Sequence, residues 1–251
     1  MKQTLTILTG ASRGLGLAMA HQLLSPGHTL LCISRHQSEA LAEKADMLGA
    51  VLVQWTEDLA QGSQVSRRLA QWLLSQSGDS FADATLINNA AALPQVLPLS
   101  AADVDDLART LRVGLEAPMQ LTAVFLQATQ NWPGQRKVLN ISSGLGRSAM
   151  ASQAAYCAVK AGMDHFTRCL SLDEALKVKG AKVCSLAPGV IDTDMQVQLR
   201  GAKATDFPNL GNFVSLKSNG QLSSPDESAK NVLAYLANPH FGKSPVADIR
   251  D

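Results

Sequence analysis

The stretch "LTILTGASRGLG" (5–16) decides the fold. Its opening residues, Leu5 to Leu8, form a short apolar run of the kind that makes a buried strand. Gly10, Gly14 and Gly16 follow in G-x-x-x-G-x-G spacing, and the residues from 14 to about 25 read as helix. A strand that turns through glycines into a helix presents the free N–H groups and the positive dipole end of that helix. Such a turn lets a pyrophosphate approach the backbone closely. Gly10, Ala11, Ser12, Arg13, Gly14, Leu15 and Gly16 are therefore the predicted phosphate cradle.

The same alternation continues along the chain. Apolar runs at 29–33, 50–55, 84–88, 137–141, 182–187 and, more weakly, 245–249 read as strands. Helical patterns lie between them at 38–48, 63–77, 101–131, 152–178 and 225–237. Ser224-Pro225 supplies an N-cap and first-turn pair for the last helix. Continuous apolar strands alternating with helices predict an α/β fold: a Rossmann-type doubly wound parallel sheet flanked by helices. No linker or repeat divides the chain, so 1–251 is expected to be one domain. Residues 196–223, rich in Gly, Ser, Asn and Lys and without clear periodicity, are expected to form a loop or lid over a site.

Composition narrows the classes of function. With 46% hydrophobic and 17% charged residues, the 251-residue chain can bury a large core. A net charge of +1 and no basic run argue against a nucleic-acid binder. No apolar run approaches a membrane span, and the apolar start leaves no room for a signal peptide. The four cysteines, Cys32, Cys157, Cys169 and Cys184, form no CxxC pair and read as reduced thiols of a cytoplasmic protein, mostly core filler. The five histidines show no ligand spacing, and no metal site is expected.

In a doubly wound sheet, ligands sit beyond the carboxyl ends of the strands. The end of the second strand, "CISRHQSE" (32–39), carries Arg35 and no acid before Glu39. A guanidinium there suits a 2′-phosphate, with Arg13 as a second one, so NADP(H) is the expected cofactor. "INNAA" (87–91), "NISSGLG" (140–146) and "APGVIDTDM" (187–195) end three later strands. "AAYCAVKAG" (154–162) places Tyr156 and Lys160 one helical turn apart. Alone, that pair reads as a surface Tyr-Lys pair on an ordinary helix. Placed at the ligand edge, it reads as a phenol whose pKa a neighbouring ammonium lowers, fit for general acid work.

These motifs, in this order and spacing, resemble the short-chain dehydrogenase/reductase family over nearly the whole chain. The resemblance implies that Tyr156 is the acid/base, and that Lys160 lowers its pKa and holds the nicotinamide ribose. It implies that Ser143, 13 residues before the tyrosine, orients the substrate carbonyl. Asp58 and Leu59 are implied beside the adenine, and Asn89 and Ala90 beside the adenosine ribose. Pro188 to Gln196 is implied to shape the nicotinamide pocket, with Ile191 and Thr193 on the cofactor and Gly189 on the substrate. The family implies transfer of the pro-S hydride and assembly as a homodimer or homotetramer. For the apolar stretches 113–128 and 152–172, both a subunit interface and an internal core remain open.

One position departs from the family pattern. Where the family has an Asn that helps hold a proton-relay water, "TLRVGLEAP" (110–118) has Gly114, which is expected to leave space for an extra water or a backbone carbonyl. Gly114 is the one feature that favours a non-catalytic NADPH-binding regulator, which stays secondary because Ser143, Tyr156 and Lys160 are all retained.

"LAPGVIDTDMQVQLR" (186–200) and the ending "HFGKSPVADIRD" (240–251) resemble the branch that reduces sepiapterin, benzil and other diketones. The expected function is hydride transfer from NADPH to a small-molecule ketone or vicinal diketone, with general alcohol dehydrogenase or ketoacyl-type reduction as the alternative. In that branch an acid near the C-terminus anchors a pterin ring. The matching residue is Asp248, for which a surface acid is an equal reading.

Overall fold

The computed structural model describes residues 2–251. In chain order the elements are β1 (Gln3–Thr9), α1 (Gly14–Leu23), β2 (His28–Ser34), α2 (Glu39–Leu48), β3 (Val51–Thr56), α3 (Gly62–Leu74) and β4 (Phe81–Asn88). Then follow α4 (Val104–Leu111), α5 (Ala117–Ala128), β5 (Gln135–Ile141), α6 (Ala154–Ala175), β6 (Lys182–Ala187), α7 (Asp194–Arg200), α8 (Leu210–Ser218), α9 (Pro225–Ala237) and β7 (Val246–Asp248).

The seven strands form one parallel sheet in the order β3-β2-β1-β4-β5-β6-β7. The order reverses between β1 and β4, which opens a crevice at their carboxyl ends. Both faces are covered. Leu69, Leu121, Phe125 and Leu170 pack α3, α5 and α6 on one face, and Met19, Leu41 and Val232 pack α1, α2 and α9 on the other. This double burial is why the strands read as continuous apolar runs rather than alternating ones. The Ser224 hydroxyl accepts from the Glu227 amide at 3.1 Å and caps α9 as its sequence predicts.

Two segments differ from their sequence reading. The helix expected over 101–131 is broken into α4, a π-helical turn at Arg112–Glu116, and α5. Gly114 lies within this break and Pro118 just after it, and Gly114 sits against Val159 of α6. The stretch 196–223 is not a structureless loop. It carries most of α7 and all of α8, and Leu199, Phe207 and Phe213 bury a small core of their own with Val96. Its partner Val96 comes from the loop after β4, so no local periodicity announces it.

Cys32 and Cys184 are buried in the core, whereas Cys157 is half-buried and Cys169 exposed on α6. Leu172, Leu176 and Val178 are exposed at the end of α6 and just beyond it. No helix among the described residues is long and apolar enough to cross a membrane.

Candidate active site

A cleft of about 1000 Å³ runs along the carboxyl edge of the sheet. Every predicted site residue lines it except Ala11 and Asp248. Its floor at one end is the turn between β1 and α1. The Ala11 amide donates to Ser34 Oγ at 2.7 Å, which ties the turn to the end of β2. A Cβ on Gly16 would lie 2.0 Å from the Gly10 carbonyl oxygen, so the turn closes only on glycine. The result is a backbone cradle at the N-terminus of α1, the arrangement a pyrophosphate needs.

Asn89 reaches this turn by its side chain. Its Nδ2 donates to the carbonyls of Thr9 at 3.0 Å and Gly10 at 3.2 Å. The Thr9 hydroxyl accepts from the Asn89 and Ala90 amides, each at 3.0 Å. Asn89 thus braces the phosphate turn against the end of β4, as well as facing the cleft.

Arg35 is exposed at the rim and makes no side-chain hydrogen bond among the described residues. Arg13 behaves differently. Its Nη1 donates across the cleft to Asp194 Oδ2 at 3.0 Å, away from its expected pairing with Arg35. Asp58 caps the short turn that carries Leu59, accepting from the Ala60 amide at 3.0 Å, and pairs with Arg109 at 3.3 Å. Arg109 has no motif of its own in the sequence and comes to the site only through α4.

At the other end lie Ser143, Tyr156 and Lys160. Ser143 lies two residues beyond the end of β5, and its Oγ accepts from the Leu145 amide at 3.2 Å. Tyr156 and Lys160 occupy the first turns of α6 and are both buried. The Lys160 Nζ donates to the Ile141 carbonyl at 2.7 Å and lies 5.6 Å from the centre of the Tyr156 ring.

The electrostatics correct one expectation. Tyr156 is not acidified: burial pushes its phenol up to about 12, against a weaker downward pull from its hydrogen bond to Ser143. Burial also brings Lys160 down to about 8, against the upward pull of Asp164. Both groups are shut off from water, and desolvation penalises phenolate and ammonium alike. In the protein by itself the phenol is therefore firmly protonated at neutral pH.

Gly114 is also corrected. It leaves no space, because a Cβ there would lie 2.6 Å from Val159 Cγ1, the side chain next to Lys160. Val159 fills the place at which a longer side chain would begin.

Asp248 stands apart. It is buried and holds the Arg250 guanidinium on both oxygens, and Arg250 rather than Asp248 lines the cleft. The arginine beside it pulls its carboxyl below the ordinary carboxylate range. An apolar patch of the remaining wall comes from Leu93, Leu145, Met150, Phe213 and Leu216, beside the polar Gln153, Gln196 and Asn212. None of the apolar five was visible as a site residue in the sequence, since three distant segments supply them.

A backbone phosphate cradle on a doubly wound parallel sheet, with Ser, Tyr and Lys at its far end, defines a nicotinamide-dependent oxidoreductase acting on carbonyl or CH–OH groups. The chain belongs to the short chain dehydrogenase family, whose model matches residues 4–204. It is 35% identical to benzil reductase ((S)-benzoin forming) of Bacillus cereus, over 97% of this chain and 98% of that protein. It is 34% identical to sepiapterin reductase of Xenopus tropicalis, over 92% of this chain and 90% of that protein. Among solved structures, the KRED1-Pglu enzyme superposes with a TM-score of 0.81 at 25% identity, covering 98% of this chain and 100% of that one.

Proposed function

We propose that this protein is an NADPH-dependent carbonyl reductase that reduces a neutral vicinal diketone of the benzil type. One observation carries the choice of substrate: four of the five carboxylates lining the cleft are in ion pairs, and the fifth accepts a backbone amide. Glu57 pairs with Arg68, Asp58 with Arg109, Asp192 with Lys217 and Asp194 with Arg13. Asp106 accepts from the Gln95 amide at 2.7 Å. Asp248, behind the wall, is capped by Arg250. No carboxylate in the cleft is left wholly without a partner for the guanidine-like edge of a pterin, whereas the apolar patch of the wall suits an aromatic diketone.

NADPH, when bound, supplies the hydride. Arg35 at the rim is the cation available to its 2′-phosphate, and the Gly10–Gly16 turn holds its pyrophosphate. Ala11 supports that turn from beneath through Ser34. Asp58 and Leu59 flank the adenine, and Ala90 the ribose. Ile191 and Thr193 close the nicotinamide end, with Gly189 toward the substrate. Ser143 donates to the carbonyl oxygen and holds it against the Tyr156 hydroxyl. Tyr156 gives that oxygen its proton. A phenol that is fully protonated at neutral pH starts in the form reduction requires. Lys160 holds the nicotinamide ribose, and its charge favours the phenolate left after transfer. The exposed apolar end of α6 is the face for assembly as a homodimer or homotetramer in the cytoplasm.

The test follows NADPH absorbance with benzil and with sepiapterin, and with NADH in place of NADPH. Faster oxidation of NADPH with benzil supports the reading; turnover of sepiapterin alone overturns the substrate, and equal use of NADH overturns the cofactor. Tyr156→Phe is expected to keep NADPH binding by fluorescence and to lose turnover about a hundredfold or more.

A further inference from the structure

Asp164 lies one helical turn beyond Lys160 on α6, outside the cleft, and is 1% exposed. A buried carboxylate is expensive unless its oxygens are satisfied. Its Oδ1 accepts from Ser142 Oγ at 2.6 Å and from Ser185 Oγ at 2.7 Å. Its Oδ2 has no hydrogen bond and faces Arg147 Nε at 3.4 Å. A Cβ on Gly146 would lie 2.8 Å from that oxygen, so the turn after β5 closes on the carboxylate only as glycine. One side chain thus joins the residue after β5, the middle of β6, the turn carrying Ser143 and the helix carrying Tyr156 and Lys160.

We propose that Asp164 is the positioning residue of this site: its carboxylate fixes the Ser142–Ser143 corner against α6 and supplies the counter-charge of the Lys160 ammonium. The inference rests on the reading of Lys160 as a working member of the site. A purely structural anchor could be neutral, because Ser142 and Ser185 need only an acceptor. The charge faces two cations: Arg147 Nε at 3.4 Å, and Lys160 one helical turn away, which has exchanged water for one carbonyl, that of Ile141. The groups facing this pair are Tyr156 on α6, Arg147 from the turn after β5, and the Cys184 thiol on β6. Asp248, on β7, is near enough to feel Arg147. The π-helical side contributes the uncharged contact of Gly114 with Val159.

The experiment compares the intact wild type with Asp164→Asn, which keeps the shape and removes the charge. Two readouts are taken. One is the pH dependence of kcat for benzil with saturating NADPH. The other is the titration of Lys160 in the NADP-bound protein, read by NMR of lysine labelled with carbon-13 at Cε and assigned with Lys160→Met. In Asp164→Asn both the alkaline limb and the Lys160 titration are expected to move down by about one pH unit. Asp164→Glu is expected to restore part of the shift. A uniform loss of rate with both titrations unmoved overturns the proposal. If Asp164→Asn does not fold, Arg147→Gln serves instead. It removes the competing cation, so the Lys160 titration is expected to move up; an unmoved titration overturns the proposal. A wild type inactive on benzil would count against the proposed substrate alone, because the lysine titration needs no turnover.

Discussion

The Arg250 guanidinium closes on the Asp248 carboxylate with Nε to Oδ1 and Nη2 to Oδ2, both at 2.7 Å. The Arg250 amide adds a third bond to Oδ1 at 3.1 Å. This two-pronged geometry is the strong form of an arginine–carboxylate pair. It leaves Asp248 no free oxygen edge toward the cleft. Arg250→Ala should uncover the acid. Turnover of sepiapterin relative to benzil is expected to rise about tenfold, the worth of one charge-assisted contact. An unchanged ratio of kcat/KM values would show that Asp248 does not decide between these substrates.

Arg35 controls the choice of cofactor if its guanidinium meets a 2′-phosphate. Arg35→Ser should raise KM for NADPH about ten- to a hundredfold and leave KM for NADH nearly unchanged. Arg13→Ser should do less, because Arg13 is engaged with Asp194 in an exposed pair. Steady-state kinetics with both nucleotides read the difference.

The burial of Lys160 has a consequence for stability that differs in sign from the usual ion pair. Its folded-state pKa is lowered to about 8 from the ordinary 10.5. Between those values the unfolded chain binds more protons than the folded one, so this group makes stability rise with pH. Below about 8 the burial penalty is present in full. Lys160→Met removes the titration. The stability of wild type relative to Lys160→Met is therefore expected to increase from pH 7 to pH 10. Urea unfolding midpoints at both pH values measure it, and a constant difference would contradict the lowered value.

Gly114 predicts a packing conflict. A Cβ at 2.6 Å from Val159 Cγ1 must push that side chain or the π-helical turn. Gly114→Asn should destabilise the fold by about 1–3 kcal/mol. Val159→Ala in the same chain should recover part of that loss, giving a coupling that a double-mutant cycle detects. Additive effects would mean the two residues do not meet.

Much of this was legible in the sequence because it depends on near neighbours. The strand–turn–helix of residues 3–23 follows from apolar burial on both faces and from glycines where only hydrogen fits. Arg35 was readable because it directly follows a strand, Tyr156 and Lys160 because one helical turn separates them. Ser224 announced its helix by a cap that involves residues three apart.

What the sequence could not show depends on distant segments meeting. The 196–223 stretch folds because Phe207 and Phe213 find Val96, more than a hundred residues earlier. Tyr156 was expected to be acidified by its neighbour, yet the sheet and α6 exclude water from both groups, and desolvation outweighs the pair. Gly114 was expected to leave a gap, but α6 brings Val159 into it. Asp248 carried a motif position, and only the backbone turn after β7 folds Arg250 back onto it. The sequence by itself determined the order of the seven strands, the glycine turn after β1 and the spacing of Ser143, Tyr156 and Lys160, because local spacing and burial pattern suffice for these. The tertiary structure alone decided which charges are free, which are paired and how dry the site is, because those depend on packing between residues far apart in the chain.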